Sequence, residues 1–119
     1  MYGTRTLVSE RTVTGAGDAV EFREIDRIVA AGQTRSEVVF EILGPRGELT
    51  QQQQALRNRY LEGLAAYRER RWEDALRAFN ASLEAVPDDG PSMALIKRIE
   101  SLQASPPVQD WNGAWHIEK

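Results

Sequence analysis

Cysteine is absent from the 119 residues. That excludes disulfides, thiolate catalysis and cysteine-ligated zinc, and it fits a reducing compartment. There is one histidine, His116. With no second His or Cys beside it and no spacing that suggests a triad, it reads as an exposed tail residue and not a ligand. No run of about 18 apolar residues occurs, so nothing here reads as a membrane-spanning helix. The segment Met1-Tyr2-Gly3-Thr4-Arg5 leads into no apolar stretch and is not a signal peptide. A cytoplasmic location is expected, with any membrane anchor lying upstream in a longer parent. An excess of one charge is also missing. There are 15 basic and 18 acidic residues, a net charge of -3. Residues 1–44 hold five basic and seven acidic side chains, and the remainder holds ten and eleven. Without a basic patch, neither nucleic acid nor an anionic membrane is an expected partner.

What is present is a globular composition, 41% hydrophobic and 28% charged, in a chain of ordinary domain length. The first part reads as strands. Thr6-Leu7-Val8 is a short β-prone run ended by Ser9-Glu10. A polar stretch from Arg11 to Asp18 has room for one helical turn. Ala19 to Ala30 carries Val20, Phe22, Ile25, Ile28 and Val29. Glu37 to Leu43 carries Val38, Val39, Phe40, Ile42 and Leu43. Between them, Ala31-Gly32-Gln33-Thr34 offers glycine for a positive φ, so the two runs form a β-hairpin. The second run is apolar on both faces and expects cover on both sides. Three strands and one helical turn do not supply that cover, so the sheet reads as cut from a larger one.

Gly44-Pro45-Arg46-Gly47 marks a boundary. Beyond it the pattern is helical. Thr50 caps a helix starting near Gln51–Gln54, and Leu56, Tyr60, Leu61, Leu64 and Tyr67 recur at offsets of three and four. Trp72, Ala75, Leu76, Phe79, Leu83 and Val86 do the same on a second helix, closed by Pro87-Asp88-Asp89-Gly90. Pro91 suits the first turn of a third helix with Leu95, Ile96, Ile99 and Leu102, which ends at Ser105-Pro106-Pro107. The fold class expected is α+β: a β-hairpin and strand remnant over 1–44, a linker over 45–52, a three-helix unit over 53–105 and a Trp-containing tail over 106–119.

The helical part resembles a tetratricopeptide repeat. Tyr60-Leu61-Glu62-Gly63-Leu64-Ala65-Ala66-Tyr67 looks like its first helix, and Arg70-Arg71-Trp72-Glu73-Asp74-Ala75 looks like the turn into the second. The resemblance implies that Gly63 allows close helix approach, that Ala75 is the small residue at the crossing and that Phe79 fills the gap. Tyr67 and the terminating Pro87 complete the packing set, beside Ser82-Leu83. The match covers about one repeat, and the usual tryptophan at the start of the first helix is replaced by Arg59 and Tyr60. A generic α-hairpin is the plainer alternative.

In the first part, three segments stand in order: Tyr2-Gly3-Thr4-Arg5-Thr6-Leu7-Val8-Ser9-Glu10, then Phe22-Arg23-Glu24-Ile25-Asp26-Arg27-Ile28, then Gly32 and Val39-Phe40-Glu41-Ile42-Leu43-Gly44. Together they resemble the last strands of the class III adenylate/guanylate cyclase domain. The tail, Pro106-Pro107 and Asp110-Trp111-Asn112-Gly113-Ala114-Trp115, resembles the ends of bacterial cyclases with TPR-like extensions. The resemblance implies a parent that converts ATP or GTP to a cyclic nucleotide at a dimer interface, using magnesium or manganese. It places the metal-binding aspartates and the transition-state Asn and Arg before Tyr2, so this chain itself is expected to be non-catalytic and without a cofactor. In the family a Val-Lys-Gly-Lys turn meets the triphosphate. Here the phosphate-turn remnant is Ala31, Gly32 and Gln33, which brings no cation to a charge that metals and cations must offset.

The remaining polar features have ordinary readings. Asp88-Asp89 and Glu73-Asp74 suit helix first turns. Gly15-x-Gly17 lacks the third glycine of a nucleotide loop. Arg68, Arg70 and Arg71 are offset by Glu69, Glu73 and Asp74. Trp111 and Trp115 are expected to fold back on the helices, with partner binding as the alternative. The function expected is a C-terminal regulatory or protein-interaction segment of a cyclase in signal transduction. Its partner is a protein or a second copy, met through Tyr60, Tyr67, Trp72, Trp111 and Trp115. An independent TPR-like adaptor for a peptide or protein is the second reading.

Overall fold

The computed structural model describes residues 7–109 and 111–116. Residues 2–6 of the first cyclase-like segment, and Asp110 of the tail, lie outside them. The architecture is α+β, with a four-stranded mixed sheet and four helices. The chain divides into two compact units. One is the sheet, built from residues 7–49 and 113–116. The other is helical, built from residues 50–109 and 111–112.

The sheet unit runs β1 (Leu7–Ser9), α1 (Glu10–Ala16), β2 (Val20–Val29) and β3 (Glu37–Pro45), and it is joined by β4 (Ala114–His116). The strand order is β1-β3-β2-β4, antiparallel except for the β2–β4 pair. The stretch read as one helical turn is a seven-residue helix. Ser9 does more than end the strand: its side chain accepts from the Thr12 amide and caps α1. The hairpin turn is the one expected. Gln33 N donates to Ala30 O at 3.0 Å, and Gly32 takes φ 80° at the third turn position, the geometry of a type II turn. Gly44 and Pro45, read as the boundary, still belong to β3, where Pro45 lies opposite Val20. The chain turns two residues later, at Gly47 with φ 80°, where Glu48 N donates to Pro45 O.

The apolar spacing of β2 departs from strict alternation, and a bulge explains it. The register shifts between Glu24 and Asp26, so Ile25 is an extra residue on β2. Ile25 and Asp26 are consequently both fully buried, although they are neighbours. The expectation of cover on both faces of β3 is met only in part. Val38, Val39, Phe40, Ile42 and Leu43 are all half-buried, because β1 is three residues long and α1 seven.

Across the hairpin, Phe22 and Phe40 meet edge to face at 5.6 Å. Next to them Arg23 and Glu41 are directly paired in register, with Nη2 and Oε1 2.9 Å apart and Arg23 buried. Removing one partner of such a pair takes away compensation that the other, buried charge needs. Glu41→Ala is therefore expected to destabilise the sheet unit by about 3 kcal/mol, and Arg23→Met with Glu41→Leu is expected to recover most of the loss. Chemical denaturation followed by hydrogen exchange of β2 and β3 amides reads both.

The helical unit consists of α2 (Gln51–Arg68), α3 (Trp72–Ala85) and α4 (Gly90–Ala104). α2 starts from a complete capping box: Gln53 N donates to Thr50 Oγ1 at 3.0 Å, and Thr50 N donates to the Gln53 side chain at 3.0 Å. Gln51 and Gln52, read as linker, are thus the first helical residues. Arg70 ends the α2 turn with φ 63°, a left-handed conformation normally left to glycine. Gly90 opens α4 and does not close the preceding turn. Asp89 caps this helix from a buried position, accepting from the Ser92 amide at 3.1 Å and the Ser92 hydroxyl at 2.6 Å. Pro91 sits in the first turn.

The core joins Tyr60, Leu64 and Tyr67 of α2, Ala75 and Phe79 of α3, and Leu95 and Ile99 of α4. Among the described residues no helix is long and apolar enough to cross a membrane. Thr50→Ala removes one cap bond and is expected to cost about 1 kcal/mol, seen as a lower melting temperature by circular dichroism at 222 nm.

Candidate functional site

The close approach of α2 and α3 rests on one glycine. A Cβ added at Gly63 would lie 2.7 Å from two ring atoms of Phe79 and 2.9 Å from a third. Phe79 is fully buried, and its ring is held at 5.2 Å from that of Tyr60. The structure therefore places the small residue and the large one face to face. Ala75, also fully buried, lies one turn before Phe79. Pro87 is exposed just past the end of α3.

At the other end of the hairpin Tyr67, Trp72 and Trp111 form an aromatic cluster. Tyr67 meets Trp111 at 5.2 Å and Trp72 at 5.9 Å, both edge to face, and Trp72 lies 5.9 Å from Trp111. The Arg70 guanidinium sits 5.9 Å from the Trp111 ring and donates to the Val108 carbonyl. These contacts offset the left-handed backbone of Arg70 and hold the tail on the hairpin.

This geometry corrects the partner surface read from the sequence. Tyr60 and Tyr67 are fully buried and belong to the core, because both lie on the α2 face that packs on α3. Trp72 and Trp111 are half-buried against each other and Tyr67. Trp111 folds back on the helices as expected. Trp115 lies in β4, opposite Ile28 of β2, as part of the sheet. His116 ends that strand and is exposed.

A feature the sequence reading missed lies beside the hairpin. A cleft of about 510 Å³ is lined by Ala65 and Ala66 of α2 and by Ala78 and Ala81 of α3, with Glu62, Arg71, Asp74 and Arg77 around it. Four alanines at the crossing leave this groove shallow-walled, and the charges make a mixed rim. Arg71 bonds Asp74 at 2.9 Å and Glu69 at 3.1 Å, and Arg77 bonds Asp74 at 3.2 Å. The hydrogen bond to Asp74, then that to Glu69, holds the Arg71 guanidinium above its ordinary pKa. The local signal was the pairing of alanines across the two helices, which helix propensity alone also explains.

The hairpin turn of the sheet unit carries no charge at Ala31, Gly32 or Gln33. Ala31 is half-buried, and the other two are exposed.

No protein-family profile matches the chain, and no solved structure matches it. A curated relative is the terminal-differentiation-specific adenylate cyclase of Dictyostelium discoideum, 24% identical over 101 residues. The match covers 82% of this chain and 5% of that protein, so the chain spans a small fraction of its relative's length. The chain is thus weakly similar to a short stretch of an adenylate cyclase. The relative is eukaryotic, where the sequence pointed to bacterial cyclases.

Two substitutions test the packing. Gly63→Ala adds helix propensity worth about 1 kcal/mol but overpacks Phe79 by ~1–3 kcal/mol, so net destabilisation is expected. In a Phe79→Leu background the same change is expected to become neutral or stabilising, as read by urea denaturation. Trp111→Ala is expected to cost ~2 kcal/mol, below the range for a fully buried tryptophan because Trp111 is half-buried. Intrinsic fluorescence during unfolding measures it.

Proposed function

We propose that this chain is a non-catalytic, protein-interacting segment of a cyclase homologue, with a TPR-like three-helix unit as its docking element. The observation that carries the reading is the match to an adenylate cyclase over 82% of the chain, in a stretch whose hairpin turn offers Ala31 and Gln33 and no cation. Phosphate transfer to a cyclic product needs concentrated positive charge. In the whole protein that charge, the divalent metal and the ATP or GTP belong to other parts of the cyclase.

The contact of Gly63 with Phe79 supports the TPR-like reading, because it is the close small-to-large crossing that the repeat uses. The alanine-floored groove supports docking. Small side chains let another helix approach closely, and a rim with both charge signs selects the partner. The burial of Tyr60 and Tyr67 weighs against an adaptor that takes a peptide on those rings, so the docking surface is assigned to the groove. The partner is a protein or a second copy of the chain.

Two measurements test this reading. Incubation with magnesium or manganese and ATP or GTP is expected to yield no cyclic nucleotide; product above a protein-free control would sink the non-catalytic half. Sedimentation velocity is expected to show self-association that Ala78→Arg abolishes while helical circular dichroism is kept. Self-association unaffected by Ala78→Arg would remove the groove from the interface.

A further inference from the structure

The groove between α2 and α3 has a charge pattern that narrows what can lie in it. The two helices run antiparallel: Tyr67 meets Trp72 at one end, and the Gln52 side chain donates to the Ala85 carbonyl at the other. Between these ends Gly63 faces Phe79. Glu62 and Arg77 both line the groove, and each lies within two residues of that contact on its own helix. The acid on α2 and the base on α3 therefore stand at a common level of the crossing.

Glu62 is bonded differently from the rest of the rim. Asp74 is shared between Arg71 at 2.9 Å and Arg77 at 3.2 Å, and Arg71 also holds Glu69. The Arg77 side chain keeps 77% of its surface exposed while making that bond. Glu62 is exposed and forms no hydrogen bond or ion pair among the described residues. The charged residues lining the groove are two acids, Glu62 and Asp74, and two bases, Arg71 and Arg77, so the rim carries no net charge. A strongly acidic or strongly basic partner gains little from such a rim, and two copies of it do not repel.

The alanines leave room for a close neighbour. Ala65 is exposed, and Ala78 and Ala81 are half-buried, so no long side chain fills the floor of the groove. Helices that meet through small residues pack at the short end of the usual ~8–10 Å interaxial range. A matching surface needs two antiparallel helices with the acid on one and the base on the other, and the chain itself carries one. A half turn about an axis along the groove lays α2 of one copy over α3 of the other without changing its level. Glu62 of each chain then meets Arg77 of the partner subunit, and symmetry makes the contact twice.

We propose that the groove is occupied by the same groove of a second copy, in a two-fold dimer whose central α2 and α3 helices form a four-helix bundle. The inference rests on reading the groove as a docking surface, and it names the occupant.

The test is sedimentation velocity of the full chain over a dilution series, with charge reversals at the two positions. Glu62→Arg alone and Arg77→Glu alone are each expected to weaken self-association by ~10-fold or more, because each sets like charges together twice. An equimolar mixture of the two variants is expected to recover the wild-type association as a heterodimer, since every reversed residue then faces the opposite charge. Both positions are exposed, and helical circular dichroism checks that the fold is kept. If a reversal unfolds the chain, Glu62→Gln, Arg77→Gln and the double variant read the same contact as a non-additive loss. The proposal is overturned by a wild-type chain that stays monomeric, by reversals that leave association unchanged, or by a mixture that associates no better than its parts. Association that Ala78→Arg abolishes but the reversals leave unchanged overturns this pairing and keeps the groove as the docking surface. The non-catalytic reading is decided separately, by product formation.

Discussion

The helical unit depends on the missing side chain at Gly63. With no Cβ there, the α2 and α3 backbones approach until the Phe79 ring fills the vacated space. That distance then decides what else is buried. The Tyr60 ring meets that of Phe79 at a tilt, and Tyr67 reaches Trp72 and Trp111 at the far end. The same approach places Ala65 and Ala66 opposite Ala78 and Ala81, which forms the groove. A larger residue at position 63 would spread the pair and change the core and the groove together, because packed interiors absorb little extra volume.

The sheet unit is organised differently. Its central pair, β2 and β3, is joined by the buried Arg23–Glu41 contact and by the Phe22–Phe40 edge-to-face contact. The bulge at Ile25 lets two adjacent residues face inward and turns the remainder of β2. It is this far half of β2 that pairs with β4. Apolar packing organises the helices, whereas a buried charge pair and a bulge organise the sheet.

The functional reading follows from that contrast. The helical unit presents a groove of small side chains within a charged rim, which suits a protein surface. The chain's distant similarity is to a stretch making up 5% of a much longer adenylate cyclase.

The sequence by itself determined the order and type of the main elements. The period of three and four in Leu56, Tyr60, Leu64 and Tyr67, the capping signal Thr50 to Gln53 and the placement of Pro91 mark helices locally, and Gly32 marks the hairpin turn. These are short-range effects of backbone geometry and periodicity, legible without knowing the neighbours. Tertiary structure alone decided which aromatics are surface and which are core. Tyr60 and Tyr67 are buried because another helix covers their face. Trp111 and Trp115, four residues apart and alike in sequence, part company because one meets Tyr67 and Trp72 while the other enters a strand beside Ile28. The bulge and the groove were also invisible, since each is made by residues brought together from different elements. Local pattern reports what a residue prefers; burial and pairing depend on what the rest of the chain places against it.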